Sequence, residues 1–118
     1  MKKFMAVYIG SQTSEKMKNW EALGEQAQQE REKEGINAWK NWGKKNEKSI
    51  LEGGSPLGTT IRVDATGISK TKNNLCAYVV VEANSHEEAA KLFIGHPHFT
   101  VFPGDAVEVM ECFPVPEN

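Results

Sequence analysis

The 118-residue sequence predicts an α+β fold, a ferredoxin-like plait of order βαββαβ in which one antiparallel sheet carries both helices on one face. Three observations carry that expectation. Residues 4–9 (FMAVYI) and 75–83 (LCAYVVVEA) are apolar at almost every position, as central strands covered on both faces require. The region between Glu21 and Lys48 is polar and helix-forming. After Asn84 a capped helix and a Val-rich strand follow closely, so two βαβ halves with right-handed crossovers account for the order.

Taken in order, the first strand ends at Gly10 and Ser11, and Thr13 or Ser14 is placed to cap a short helix carrying Met17 and Trp20. Residues 25–46 read as the long helix, interrupted by Gly35 and Gly43. In its second half Ile36, Trp39 and Gly43 share one face with Trp42 beside them, so that half is expected to dock on the sheet. Residues 53–58 (GGSPLG) read as a turn, tight or close to another backbone, in which glycines permit positive φ and the proline fixes the exit. Residues 59–63 read as a strand, 64–67 as a hairpin turn, 68–71 as a brief return, and 70–74 as a solvated loop. Ser85 and Glu88 form a capping box, so the second helix starts near His86 and carries Ala89, Leu92 and Phe93 on its apolar face. Gly95 stands at the left-handed closing position, His96-Pro97-His98 reads as an exit turn, and residues 106–113 form the last strand.

One domain spanning residues 1–118 is expected, long enough to bury a core without staples. Fourteen Lys and Arg against sixteen Asp and Glu leave a net charge of −2, which draws the protein to neither nucleic acid nor an anionic membrane. The longest apolar run, near residues 77–81, is far short of the roughly 20 residues of a membrane helix, and a cytoplasmic location is expected. Cys76 and Cys112 lie inside strand patterns, outside any CxxC spacing, and read as small core residues. Strands apolar on both faces leave a plait with one bare face, so a homodimer packed sheet against sheet is expected.

The opening KKFMAVYIG, the stretch GGSPLG, the segments DATGISKTKNN and LCAYVVVEANSHEEAAKLF, and the ending HPHFTVFPGDAVEVMECFPV together make the chain similar to the YCII-related proteins, including their DGPF-type branch. That resemblance covers nearly the whole chain and implies a dimeric α-β barrel with a small-molecule cleft in each subunit between the sheet and the loops. It does not carry the family's acid-base pair across. Where the DGPF signature would fall the chain has Gly67-Ile68-Ser69-Lys70-Thr71, no histidine precedes His86, and His96 stands before Pro97 where the family has an Asp. What the resemblance implies is the location, the turn bearing His96, Pro97 and His98.

Histidine changes charge near neutral pH, so His96 and His98 are candidate proton carriers, with Asp105 as the nearest carboxylate to orient a ring. In an extended segment the two imidazoles share a side, and a metal would take a third ligand from Asp105, Glu108 or Glu111, but spacing alone does not assemble such a site and no metal is expected. Gly53 and Gly54 offer backbone amides without the Lys-Ser/Thr ending of a phosphate loop, and no cofactor is expected. Trp39 and Trp42 read as pocket walls or core filling. Tyr8 and Tyr78, on strands expected to be neighbours, read as cleft hydroxyls or interface hydrogen bonds, and His86 as solvated. Two functions follow: binding of a small organic molecule in the sheet cleft with His-dependent proton-transfer or lyase-type chemistry, or a non-catalytic dimeric module for a metabolite or a protein.

Overall fold

The computed structural model describes residues 1–117. In chain order the elements are β1 (Lys2–Ile9), α1 (Glu15–Glu21), α2 (Glu25–Lys45), β2 (Ile50–Pro56), β3 (Thr60–Asp64), β4 (Gly67–Thr71), β5 (Leu75–Ala83), α3 (His86–Lys91), α4 (Pro97–Thr100) and β6 (Ala106–Glu111). The main sheet has the order β2-β5-β1-β6, antiparallel throughout, and β3 with β4 forms a separate two-stranded sheet. With that hairpin set aside, the path is the ferredoxin-like plait.

The central pair shows why the two apolar runs sit inside. Directly opposed residues share a face, and Phe4↔Val81, Ala6↔Val79 and Tyr8↔Ala77 place one row toward the helices. These residues, with Ala83, Ala89 and Phe93, form the core, and Trp39, Trp42, Ile50, Leu92, Val107 and Val109 pack around it. Each large apolar side chain buried there contributes about 1.5–3 kcal/mol. The alternate row, Met5, Val7, Tyr78, Val80 and Met110, lies on the opposite, open face.

Several local expectations are corrected. Residues 53–56 belong to an edge strand rather than a turn, because glycines allow bulges and a proline is tolerated where no neighbouring strand needs its missing N–H. The expected close approach is real: Gly54 has φ +72°, and a Cβ on it would lie 1.7 Å from the Tyr78 carbonyl oxygen. Gly35 and Gly43 do not interrupt α2. The break falls at Gly24, φ +84°, between α1 and α2, while Gly35 is buried because the Phe102 ring packs where a side chain would be. Ile36 stays about half exposed rather than docking on the sheet. The last strand ends at Glu111, two residues early. His86 is exposed but not merely solvated, since its Nε2 donates to the Val109 carbonyl and its ring stacks on Phe4 at 5.4 Å. Among the described residues no helix is long and apolar enough to cross a membrane.

Candidate functional site

The segment after α3 forms a capped helix instead of a plain exit turn. Gly95 takes φ +72° and closes the preceding turn, as its position predicts. A residue before proline is driven to extended backbone, and His96 has ψ 142°. Pro97 then suits the first helical position, where its missing N–H loses nothing. His96 is left as the N-cap of α4, and its Nδ1 accepts the His98 backbone N–H at 2.9 Å.

That cap fixes the protons of the site. A backbone amide only donates, so His96 Nδ1 is unprotonated, and the neutral ring carries its hydrogen on Nε2. The group at 3.2 Å from Nε2 is the Tyr8 hydroxyl, which therefore accepts there and keeps its own O–H for another partner. Full burial, then the neighbouring His98, pushes the His96 pKa down to about 4, so the ring is neutral at pH 7. Burial raises the Tyr8 phenol well above its ordinary value, and it stays protonated.

His98 is built the opposite way round. Its Nε2 lies 2.8 Å from the Ile9 carbonyl, an acceptor only, so Nε2 holds the hydrogen and Nδ1 the lone pair. Burial is the largest influence on this ring and lowers its pKa despite the Ile9 carbonyl and Asp105. Nδ1 has no partner among the described residues, and none of their sealed side-chain nitrogens or oxygens is unpaired, so Nδ1 reaches open space. The ring rests on Gly104, where a Cβ would come within 2.3 Å of it. Lys16 Nζ donates to the Phe99 and Gly104 carbonyls at 3.0 and 3.3 Å and holds that loop in place.

Asp105 does not orient either ring by a hydrogen bond. Its Oδ2 accepts the Ser11 backbone N–H at 2.7 Å, and its own N–H donates to the Ile9 carbonyl at 2.9 Å, which ties the start of β6 to the end of β1. No three His, Cys, Asp or Glu side chains converge as a metal site among the described residues.

A cleft of about 610 Å³ opens between α2 and the β2 side of the sheet. Tyr8, Trp39, Trp42 and His98 line it, with Gly53, Gly54 and Ser55 on the edge strand and Lys40 on α2. Trp39 packs on Tyr8 at 4.9 Å and meets His96 edge-on at 4.5 Å. Trp42 Nε1 donates to the Leu92 carbonyl at 2.8 Å, whereas Trp39 Nε1 has no acceptor among the described residues and is not sealed off. The volume falls within the range usual for small-molecule sites, and the lining is mainly apolar, with the rings of Tyr8, Trp39, Trp42 and Phe102 among aliphatic residues and a few polar atoms.

The comparisons with known proteins speak to the fold. No family model and no curated protein matches the chain. A similar solved structure is 5-chloro-2-hydroxyhydroquinone dehydrochlorinase from Burkholderia phenoliruptrix in complex with 2,5-dihydroxybenzoquinone, with a TM-score of 0.53 and 14% identity over 92% of this chain and 90% of that one. At that identity the likeness establishes a shared fold.

The residues singled out from sequence are thus partly brought together. Tyr8, Trp42, Gly53, Gly54 and His98 line one cleft, and His96 lies directly behind Tyr8 without lining it. Tyr78 borders the cleft, but its hydroxyl donates to Glu52 Oε1 at 2.9 Å. Sequence reasoning gave no part to Gly104, whose support of His98 depends on a contact between residues of a loop, or to the Cys76 side of the lining. Burial, then Asp105, raises the Cys76 pKa and keeps it a thiol.

Proposed function

We propose that the protein binds a small planar molecule bearing ring oxygens in the α2–sheet cleft and moves a proton on it. The observation that carries this reading is the opposed polarity of two side chains lining one aromatic cleft, the Tyr8 O–H left free to donate and the His98 Nδ1 left free to accept. Neutral donors beside an apolar wall suit a carbonyl or phenolic oxygen, and flat aromatic walls suit a ring. The fold is shared with a protein whose bound ligand is 2,5-dihydroxybenzoquinone, which supports the same ligand class here. In the reaction, His98 Nδ1 takes a proton from the ligand while Tyr8 donates a hydrogen bond to the oxygen on which charge develops, and His96 holds Tyr8 in place. We also propose a homodimer joined through the open sheet face, a reading supported by the exposure of Met5 and Met110 on it.

Calorimetric titration with 2,5-dihydroxybenzoquinone tests the binding step. Saturable binding is expected, weakened roughly fivefold in Tyr8→Phe by the loss of one hydrogen bond worth about 1 kcal/mol. No saturation, or equal affinity of Tyr8→Phe and His98→Gln with the parent protein, sinks the reading. Proton NMR in D2O then tests the chemistry: exchange of the ligand's ring hydrogens is faster with the protein present and slow again with His98→Gln. Binding without such exchange leaves the non-catalytic metabolite-binding module, favoured by the missing family acid-base pair.

A further inference from the structure

Among the described residues the β3–β4 hairpin packs substantially on no other helix or strand. Its ladder pairs Ile61↔Lys70 and Val63↔Ile68, which puts three apolar side chains and Lys70 on one face. Ile61, Val63 and Ile68 are 64, 73 and 77% exposed. The turn is well made, since Asp64 Oδ1 accepts the Thr66 N–H at 2.9 Å and its hydroxyl at 2.6 Å, but apart from each other the two strands have no substantial contact with any element. The radius of gyration, 16.3 Å, reflects this projection. A compact chain of this length has about 13–14 Å. A two-stranded hairpin alone is at best marginally stable in water, so an apolar face of this kind needs a surface to lie on.

The open face of the main sheet offers the complement. Val80, Met5 and Met110 stand in one row across it; Val80 is buried within the row, while Met5 and Met110 are 37 and 43% exposed. The register adds Glu52, Glu82 and Glu108 to that face against Lys3, while the hairpin and its following loop carry Arg62, Lys70 and Lys72 against Asp64. Arg62 is paired with Asp64 at 3.0 Å, so the net positive charge resides on the two lysines. Methionine, flexible and polarizable, adapts to a partner surface.

We propose that the hairpin is an arm that lies on the open sheet face of a second copy of this chain, burying Ile61, Val63 and Ile68 against Met5 and Met110 and setting Lys70 among Glu52, Glu82 and Glu108. It rests on the homodimer reading above and adds the arm; two-fold symmetry makes the contact twice.

Sedimentation equilibrium and light scattering over a concentration series test it, with far-UV circular dichroism as the check on folding. The parent protein runs as a dimer. Ile61→Lys with Ile68→Lys, both exposed in one chain and tolerable to its fold, raises the dimer dissociation constant at least a hundredfold, and Lys70→Glu raises it at least tenfold. Glu108→Lys in the Lys70→Glu background recovers part of that loss. A monomeric parent protein overturns both the arm and the homodimer. A dimer indifferent to the Ile61→Lys/Ile68→Lys pair overturns the arm alone. A charge swap that recovers nothing removes the open sheet face as the surface for Lys70. A monomer in which trypsin spares Lys70 shows the hairpin docked on its own chain, which also overturns the proposal.

Discussion

Tyr8 and His96 illustrate how two ordinary side chains acquire defined protons. Neither is aimed by a charge; a backbone N–H at Nδ1 sets the His96 tautomer, and the tautomer sets which way the Tyr8 hydroxyl donates. The same burial has a stability consequence with a definite sign. The His96 pKa lies at about 4 in the folded protein against 6.5 ordinarily, so the unfolded chain takes up its proton first as pH falls. Stability is therefore full above about pH 6.5 and declines towards pH 4, with a slope of up to roughly 1.4 kcal/mol per pH unit for that ring. His98, lowered in the same direction, adds to it. Urea midpoints at pH 7 and pH 5 should differ more for the parent protein than for His96→Gln; an identical difference would show that His96 is not buried neutral.

Along α2, two glycines with the same helix propensity meet opposite surroundings. In an exposed helix Gly→Ala stabilises by about 0.5–1 kcal/mol, and Gly43 has nothing within 4 Å of where its Cβ would stand. Gly43→Ala should gain about that amount. At Gly35 the new Cβ would fall 2.4 Å from the Phe102 ring, which is held between Trp20 and Trp39 at 6.0 and 6.1 Å. Overpacking of that kind costs about 1–3 kcal/mol and outweighs the helical gain, so Gly35→Ala should destabilise. Chemical denaturation of the two variants side by side checks the pair, and a stabilised Gly35→Ala would contradict the packing described.

For the whole molecule, the sheet sets the order of stability. β1 and β5 are paired on both sides, and Phe4, Ala6, Val79 and Val81 on them are almost fully buried, whereas α1 has no buried residue. Hydrogen exchange should therefore be slowest in β1 and β5, intermediate in the edge strands β2 and β6, and fastest in α1. Mass spectrometry of exchanged peptides reads this directly, and an α1 protected beyond β1 would contradict it.

The plait itself was legible in the sequence because its signals are local. Continuous apolar runs mark β1 and β5, and Ser85 and Gly95 mark the ends of the segment between them and the histidines, as the Ser85 Oγ bond to Glu88 N at 3.1 Å confirms. The adjacency of the strands bearing Tyr8 and Tyr78 was legible too, and the His96-Pro97-His98 step stands beside the candidate cleft, which His98 lines. The geometry of that site was not, because it depends on long-range contacts. Tyr8 meets His96 across 88 residues of sequence and His98 meets Ile9 across 89. Asp105, near His98 in sequence, is taken instead by the Ser11 amide. Glycine- and proline-rich residues 53–56 resemble a turn in isolation and become an edge strand only when β5 supplies the ladder. The sequence by itself determined the order of elements and which residues are apolar; the tertiary structure decided which atoms face one another, because a hydrogen bond is set by position in space and not by spacing along the chain.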